Sequence, residues 1–145
     1  ISSGGTMLDV GTGTGILAMA ALLFGARRAV GIDNDPEAVK TALANCRLNL
    51  LSSRMEVSGR DLKEIETTFD LVTANIVHDV LLELSDDLAR VAGDGGALLL
   101  SGLIDGQQGE NITQCFEGKG FRFIEKRTDG QWCVLLLKKV YMPEQ

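Results

Sequence analysis

Residues 8–15 read Leu8-Asp9-Val10-Gly11-Thr12-Gly13-Thr14-Gly15, and a second cluster, Gly31-Ile32-Asp33-Asn34-Asp35-Pro36, places Asp33 22 residues after Gly11. Glycine permits a sharp turn and lets a ligand approach the backbone closely. A helix behind such a turn aims its free N–H groups and positive dipole end at the ligand, so a carboxylate or phosphate can sit there. A carboxylate closing the next strand, here Asp33, can accept hydrogen bonds from both ribose hydroxyls. Together the two clusters describe a unit that holds an adenosine-containing cofactor.

The spacing separates candidate ligands. The dinucleotide pattern G-x-G-x-x-G requires a glycine at position 16, where Ile16 stands. The observed pattern, G-x-G-x-G preceded by Asp9, suits S-adenosylmethionine (SAM), which carries a carboxylate and an ammonium instead of a pyrophosphate. Asp9 then meets the ammonium or orders the glycine loop. Gly11, Thr12 and Gly13 of the loop, with Asp33 and Asn34 of the acidic cluster, are the expected cofactor residues. Asp35 reads instead as a helix N-cap before Pro36. Asp61, in Gly59-Arg60-Asp61-Leu62, either accepts from the adenine amino group or caps the turn that follows. Asn75, in Ala74-Asn75-Ile76, closes a strand; its side-chain carbonyl can accept from an amine nucleophile, and its amide can donate. Asn75 is the expected catalytic and cofactor-contacting residue, with capping of the next helix as a role that could coexist. His78, the only histidine, reads chiefly as a solvent-facing helix residue, with a general base near neutral pH as the alternative. Trp132 reads as core or rim packing, and Lys138-Lys139 as a solvated strand end.

The elements that must position these residues follow from periodicity. Apolar runs predict strands at Met7–Val10, Ala29–Ile32, Met55–Ser58, Phe69–Asn75 and Ala97–Ser101. Helices are expected from Ile16 for about ten residues, covered on most sides because the segment is almost wholly apolar; from Pro36 to Leu50, with Ala38, Val39, Ala42, Leu43, Cys46 and Leu50 inward; over 77–91; and over Gln107–Lys119, with Ile112, Cys115 and Phe116 inward. Residues 59–69 leave room for one helical turn. Gly93-Asp94-Gly95-Gly96 reads as a turn, and Asp129-Gly130 as the turn of a hairpin joining Phe121–Arg127 to Cys133–Lys138. Alternating strands and helices predict an α/β fold: a Rossmann-like, doubly wound, mostly parallel seven-stranded sheet with one antiparallel strand from the C-terminal hairpin.

Composition narrows the partners. The 145 residues carry a net charge of −6, whereas a surface that grips phosphate backbones is usually basic. Direct nucleic-acid binding is therefore not expected, and a basic peptide or protein substrate fits the sign. Cys46, Cys115 and Cys133 show no CxxC spacing, so no metal or disulfide is expected; Cys46 and Cys115, on apolar helix faces, read as buried thiols, and a reducing cytoplasm is the default. The apolar run from Ile16 to Phe24 is about half the length of a membrane span, and no membrane association is expected.

These segments together resemble class I SAM-dependent methyltransferases, and more narrowly the catalytic domain of the PrmA-type ribosomal protein methyltransferases. The similarity runs from about Thr6 to Lys139. It rests on Leu8-Asp9-Val10-Gly11-Thr12-Gly13-Thr14-Gly15-Ile16-Leu17-Ala18, on Gly31 to Pro36, on Trp132-Cys133-Val134-Leu135, and above all on Ala74-Asn75-Ile76 set 42 residues after Asp33. The resemblance implies methyl transfer from SAM, leaving S-adenosylhomocysteine, to lysine or N-terminal amines of large-subunit ribosomal protein eleven. It implies SAM binding by Gly11 and Asp33, and contact of Asn75 with cofactor or target amine. The chain departs from the family at Val77-His78, where Leu-Ala is usual, and at Asp79-Val80, where Gly-Pro is usual. Both lie beside the implied target pocket. Residues 1–145 are read as one SAM-binding domain without the family's upstream recognition domain and its F-G-T-G-x-H-x-T-T linker. A small-molecule or other protein substrate, a non-catalytic SAM-binding module and a nicotinamide oxidoreductase are the alternative readings.

Overall fold

In a computed structural model, residues 4–140 of the chain are described. Its strands are β1 (Thr6–Val10), β2 (Arg28–Ile32), β3 (Met55–Ser58), β4 (Phe69–Asn75), β5 (Ala92–Ile104), β6 (Phe121–Asp129) and β7 (Trp132–Lys139). They form one seven-stranded sheet in the order β3-β2-β1-β4-β5-β7-β6. Strands β1 to β5 pair in parallel. β7 runs antiparallel to both β5 and β6, so it alone opposes the set. The helices are α1 (Ile16–Leu23), α2 (Pro36–Leu48), α3 (His78–Glu83), α4 (Ser85–Val91) and α5 (Gln107–Glu117). This is the doubly wound sheet expected from the alternation of elements. The chain moves outward from β1 to β3 and then returns to β4 on the other side of β1. That reversal opens a crevice at the carboxyl ends of β1 and β4.

Alternate side chains of a strand point to opposite faces, and two cores result. Met7 joins Ala18, Leu22, Ala42, Cys46 and Met55 beneath α1 and α2. Leu8 and Val10 face the other way, into a larger cluster with Val72, Leu98, Leu100, Ile112, Phe116 and Leu135. Phe116 meets Phe121 edge-on, 5.6 Å between centroids, which fastens α5 to the start of the hairpin.

Several expectations are corrected. The helix over 77–91 is two helices joined at Leu84 (φ −87°, ψ 0°). The Ser85 hydroxyl donates to the Leu82 carbonyl, and such back-bonding bends a helix. The bend lets Leu81, Leu88 and Val91 stay buried while Val80 and Leu84 turn to the crevice. Arg90, on α4, then donates to the carbonyls of Ile65 and Leu62, holding the single 3₁₀ turn at Leu62–Glu64.

Gly93–Gly96 is not a free turn but the first part of a 13-residue β5. The extra residues are absorbed as an irregularity opposite Phe69 and Leu71. A Cβ on Gly96 would lie 2.8–3.2 Å from three backbone carbonyl oxygens, so the strand passes too close there for a side chain. The hairpin turns one residue later than expected, on Gly130-Gln131, since Asp129 pairs with Trp132. α1 is not covered on most sides. Ile16, Leu23 and Phe24 are 66%, 72% and 84% exposed, because nothing among the described residues packs on the outer side of this short helix. Leu50 lies outside the α2 face, exposed and at φ +58°. Cys115 is only half-buried. Lys139 is not a solvated strand end: its ammonium donates to the carbonyls of Ala89 and Ala92 at the end of α4.

Candidate active site

The glycine bend is built from below. Thr12 is buried, and its hydroxyl donates to Asp9 Oδ2 at 2.9 Å, while Thr73 on β4 donates to Asp9 Oδ1 at 2.6 Å. Asp9 thus lies under the loop with both oxygens engaged, the loop-ordering role of the two that the sequence allows. Burial pushes its carboxyl above the ordinary carboxylate range, and the two threonine hydroxyls offset part of that rise. Thr12 fits only because residue 31 is glycine: a Cβ there would stand 2.8 Å from Thr12 Oγ1.

From the side, the loop is tied to β2. The N–H groups of Gly11 and Thr12 both donate to the Ile32 carbonyl, at 2.9 Å each. Gly13 N–H donates to Asp33 Oδ2 at 2.9 Å, and Asp35 N–H to Asp33 Oδ1 at 3.0 Å. Asn45, on α2, donates to the Thr14 carbonyl at 2.9 Å. Gly11, Gly13 and Gly15 all have positive φ. A Cβ on Gly15 would crowd Met55 and Ala42, whereas one on Gly13 would meet no atom within 4 Å. The third glycine therefore serves packing and the second leaves open space above the loop. No side chain caps the N-terminus of α1, so its first N–H groups have no intrahelical or side-chain partner.

A cleft of about 280 Å³ opens at the crevice, lined by Gly11, Asp33, Asn34, Asp61, Ile76 and Val80 among others. Its volume is near the lower end of small-molecule sites, roughly 300–1,000 Å³. Asp35 is the N-cap of α2, accepting from Glu37 N–H at 3.0 Å. Asp61 caps the 3₁₀ turn, its Oδ1 accepting from Lys63 N–H at 2.9 Å, and it also lines the cleft. Arg60, Leu62, Val80 and Leu84 also line the cleft without having been singled out in the sequence. Arg60 was legible from its place beside Asp61, but Val80 and Leu84 reach the cleft only through the bend at Leu84. Two further hollows, of about 360 and 440 Å³, lie against α5 and the hairpin, and at the amino ends of β1 and β2. Neither touches the glycine loop.

Asn75 ends β4 with an exposed side chain, beside the cleft wall made by Ile76. It does not cap α3, whose N-cap is Val77. His78 is not solvent-facing: its side chain is only 14% exposed. The Asn111 amide donates through Nδ2 to His78 Nε2 at 3.3 Å, so Nδ1 carries the proton that Asp79 Oδ1 accepts at 2.8 Å. The ring braces α3 against α5 and is not among the residues lining the cleft. Trp132 sits at the rim, half-exposed, opposite Ile104. Among the described residues no cluster of three or more His, Cys, Asp or Glu could hold a metal ion, and no helix is long and apolar enough to cross a membrane.

A family model described as "Ribosomal protein L11 methyltransferase (PrmA)" matches residues 1–140. The chain belongs to that family. A ribosomal protein L11 methyltransferase of Desulfotalea psychrophila is 45% identical over 134 residues, covering 92% of this chain and 45% of the relative. The crystal structure of a ribosomal protein L11 methylase from Lactobacillus delbrueckii subsp. bulgaricus superposes with a TM-score of 0.90 at 30% identity, over 97% of this chain and 73% of that one. Magnesium protoporphyrin IX methyltransferase from Synechocystis, solved with bound SAH, shares the fold at a TM-score of 0.78 and 19% identity, over 94% of this chain and 74% of that one. The chain spans about half the length of the curated relatives it matches.

Proposed function

We propose that the protein containing this chain is a SAM-dependent methyltransferase that modifies an amine nitrogen, on lysine or a chain N-terminus, of a ribosomal protein. The observation that carries the reading is the convergence of Gly11 of the glycine loop, Asp33, Asp61 and Ile76, with Asn75 next to it in the chain, on one cleft at the switch point of a chain from the L11 methyltransferase family.

The residues fit the cofactor. The open space above Gly13 and the uncapped α1 N-terminus suit the amino-acid end. An ionised carboxylate offers about four lone-pair sites. Asp33 has used two on Gly13 and Asp35, so two remain for ribose hydroxyls. Asp61 faces the same cleft beside apolar Leu62 and Ile76, a setting for adenine. When bound, SAM supplies a methyl group activated on sulfonium; the nitrogen–carbon bond forms as the sulfur–carbon bond breaks.

The protein's part is alignment, and orientation alone can contribute up to roughly 7–11 kcal/mol. Asn75 Oδ1 accepts an N–H of the target amine and turns its lone pair toward the methyl. The amine reacts neutral, whereas an exposed lysine titrates near ~10.4. The apolar side chains of Ile76 and Val80 on the cleft wall lower that value by desolvating the bound amine. The domain's acidic balance suits a basic protein substrate. The protein acts in the cytoplasm and, in this reading, on protein rather than on naked nucleic acid.

The test is methyl transfer from labelled SAM to purified ribosomal protein L11 by the intact protein, with SAM affinity measured by calorimetry. Asp33→Ala is expected to abolish measurable SAM binding. Asn75→Ala is expected to lower kcat by about a hundredfold. Unchanged SAM affinity in Asp33→Ala, or unchanged turnover in Asn75→Ala, would overturn the assignment.

A further inference from the structure

Between Leu100 and Leu103 the register of β5 against β7 slips. Gly102 lies in that slip at φ +84°, a conformation that favours glycine. What it faces is specific. A Cβ on Gly102 would stand 2.9 Å from Asn75 Oδ1, 2.9 Å from the Ile76 carbonyl oxygen and 3.1 Å from Ile76 N. Ile76 N–H in turn donates to the Ser101 carbonyl at 3.1 Å, and the Ile76 side chain lies at van der Waals distance from a Cβ built on Gly11. The Asn75-Ile76 corner is therefore clasped between two positive-φ glycines, one on the cofactor loop and one in the β5 irregularity.

We infer that Gly102 is a positioning residue for Asn75: its bare Cα is the surface against which the Asn75 amide is set. This rests on the reading of Asn75 as the residue that contacts the target amine. Gly96 on the same strand is crowded too, but by the carbonyls of Gly93, Phe69 and Asp70, none of which belongs to the Asn75-Ile76 corner. Gly95, on the same strand at φ +73°, faces open space, with no atom within 4 Å of a built Cβ. The two positions share backbone strain, and only Gly102 adds contact with Asn75. A methyl group at 102 pushes the amide or the Ile76 peptide away from its place, and such a displacement of a reacting group can cost about a hundredfold in rate. Asp33, assigned to the cofactor's ribose, lies just past the end of β2 and is not among the atoms that the methyl group would meet.

The experiment compares Gly102→Ala, Gly95→Ala, Asn75→Ala and Asn75→Ala/Gly102→Ala in the intact protein. Ribosomal protein L11 is the methyl acceptor, and SAM affinity is read separately by calorimetry. Gly102→Ala is expected to lower kcat by about a hundredfold while SAM affinity holds, Gly95→Ala to leave kcat unchanged, and the double variant to be no slower than Asn75→Ala. Equal losses in Gly102→Ala and Gly95→Ala would overturn the inference, as would a further loss in the double variant, since independent sites add. If Gly102→Ala does not accumulate folded, recovery of folded protein in the double variant attributes the defect to the Asn75 amide, and no recovery overturns the inference. Full activity of Asn75→Ala would instead sink the functional reading beneath it.

Discussion

Gly31→Ala probes how the cofactor loop is held. Position 31 is the last residue but one of β2, and its Cβ would stand 2.8 Å from Thr12 Oγ1, 3.0 Å from Thr12 Cβ and 3.1 Å from Thr12 Cγ2. Rotating the threonine does not clear its own Cβ, so the loop backbone or the strand has to move. Overpacking of this kind costs about 1–3 kcal/mol. Losing the Thr12 bond to the buried Asp9 carboxylate adds about 1.5–3 kcal/mol, for an expected destabilisation of about 2.5–6 kcal/mol. In a domain of this size each kcal/mol lowers the melting temperature by about 3–4 °C, so scanning calorimetry should show a fall of roughly 8–24 °C. SAM affinity should fall with it, because Thr12 lies between Gly11 and Gly13. Gly59→Ala is the control: its Cβ would meet only the Asp33 carbonyl, at an ordinary 3.7 Å. If Gly31→Ala melts within about 2 °C of the parent and binds SAM as well, the loop is not seated through Thr12 and the reasoning fails.

Two further outcomes follow from buried polar groups. Burial holds the folded Asp9 carboxyl above its unfolded value, so its contribution to stability is full below the unfolded value and is lost as pH rises through the folded one. The stability of Asp9→Asn relative to the parent, followed by urea denaturation, should therefore improve as pH rises above about 4; a flat difference would contradict the burial argument. Lys139→Met keeps the stem but removes the donors to Ala89 and Ala92. It should destabilise by about 1.5–3 kcal/mol with SAM affinity unchanged, and a neutral effect on the denaturation midpoint would show that those carbonyls are satisfied by water.

The parts of the molecule legible in the sequence were those set by local chemistry. The glycine turn, the Asp35-Pro36 helix start and the apolar runs of β1, β2 and β4 each carry their reason within a few residues. The misjudged parts depend on contacts made far along the chain. His78 looked solvent-facing because its partner Asn111 is 33 residues away on α5. Lys139 looked solvated because the carbonyls it meets lie 47 and 50 residues back. The bend at Leu84 was hidden by an unbroken helical period, and Gly93–Gly96 resembled a turn because its composition matches one. In the site, Asp33 and Asp61 stood out by position at strand ends. The inward turn of Asp9 and Thr12 follows from Gly31, whose missing side chain signals nothing until β2 is laid beside the loop.

The double use of the Ile32 carbonyl changes which part of the sheet governs the cofactor loop. The bend that follows β1 is moored to β2, whose other neighbour is β3 at the sheet margin. Loosening of that margin unmoors Gly11 and Thr12 together. Conversely, a molecule resting on the bend braces the outer strands from inside, so its occupancy should be felt as slower amide exchange along β2 and β3, well beyond its own footprint.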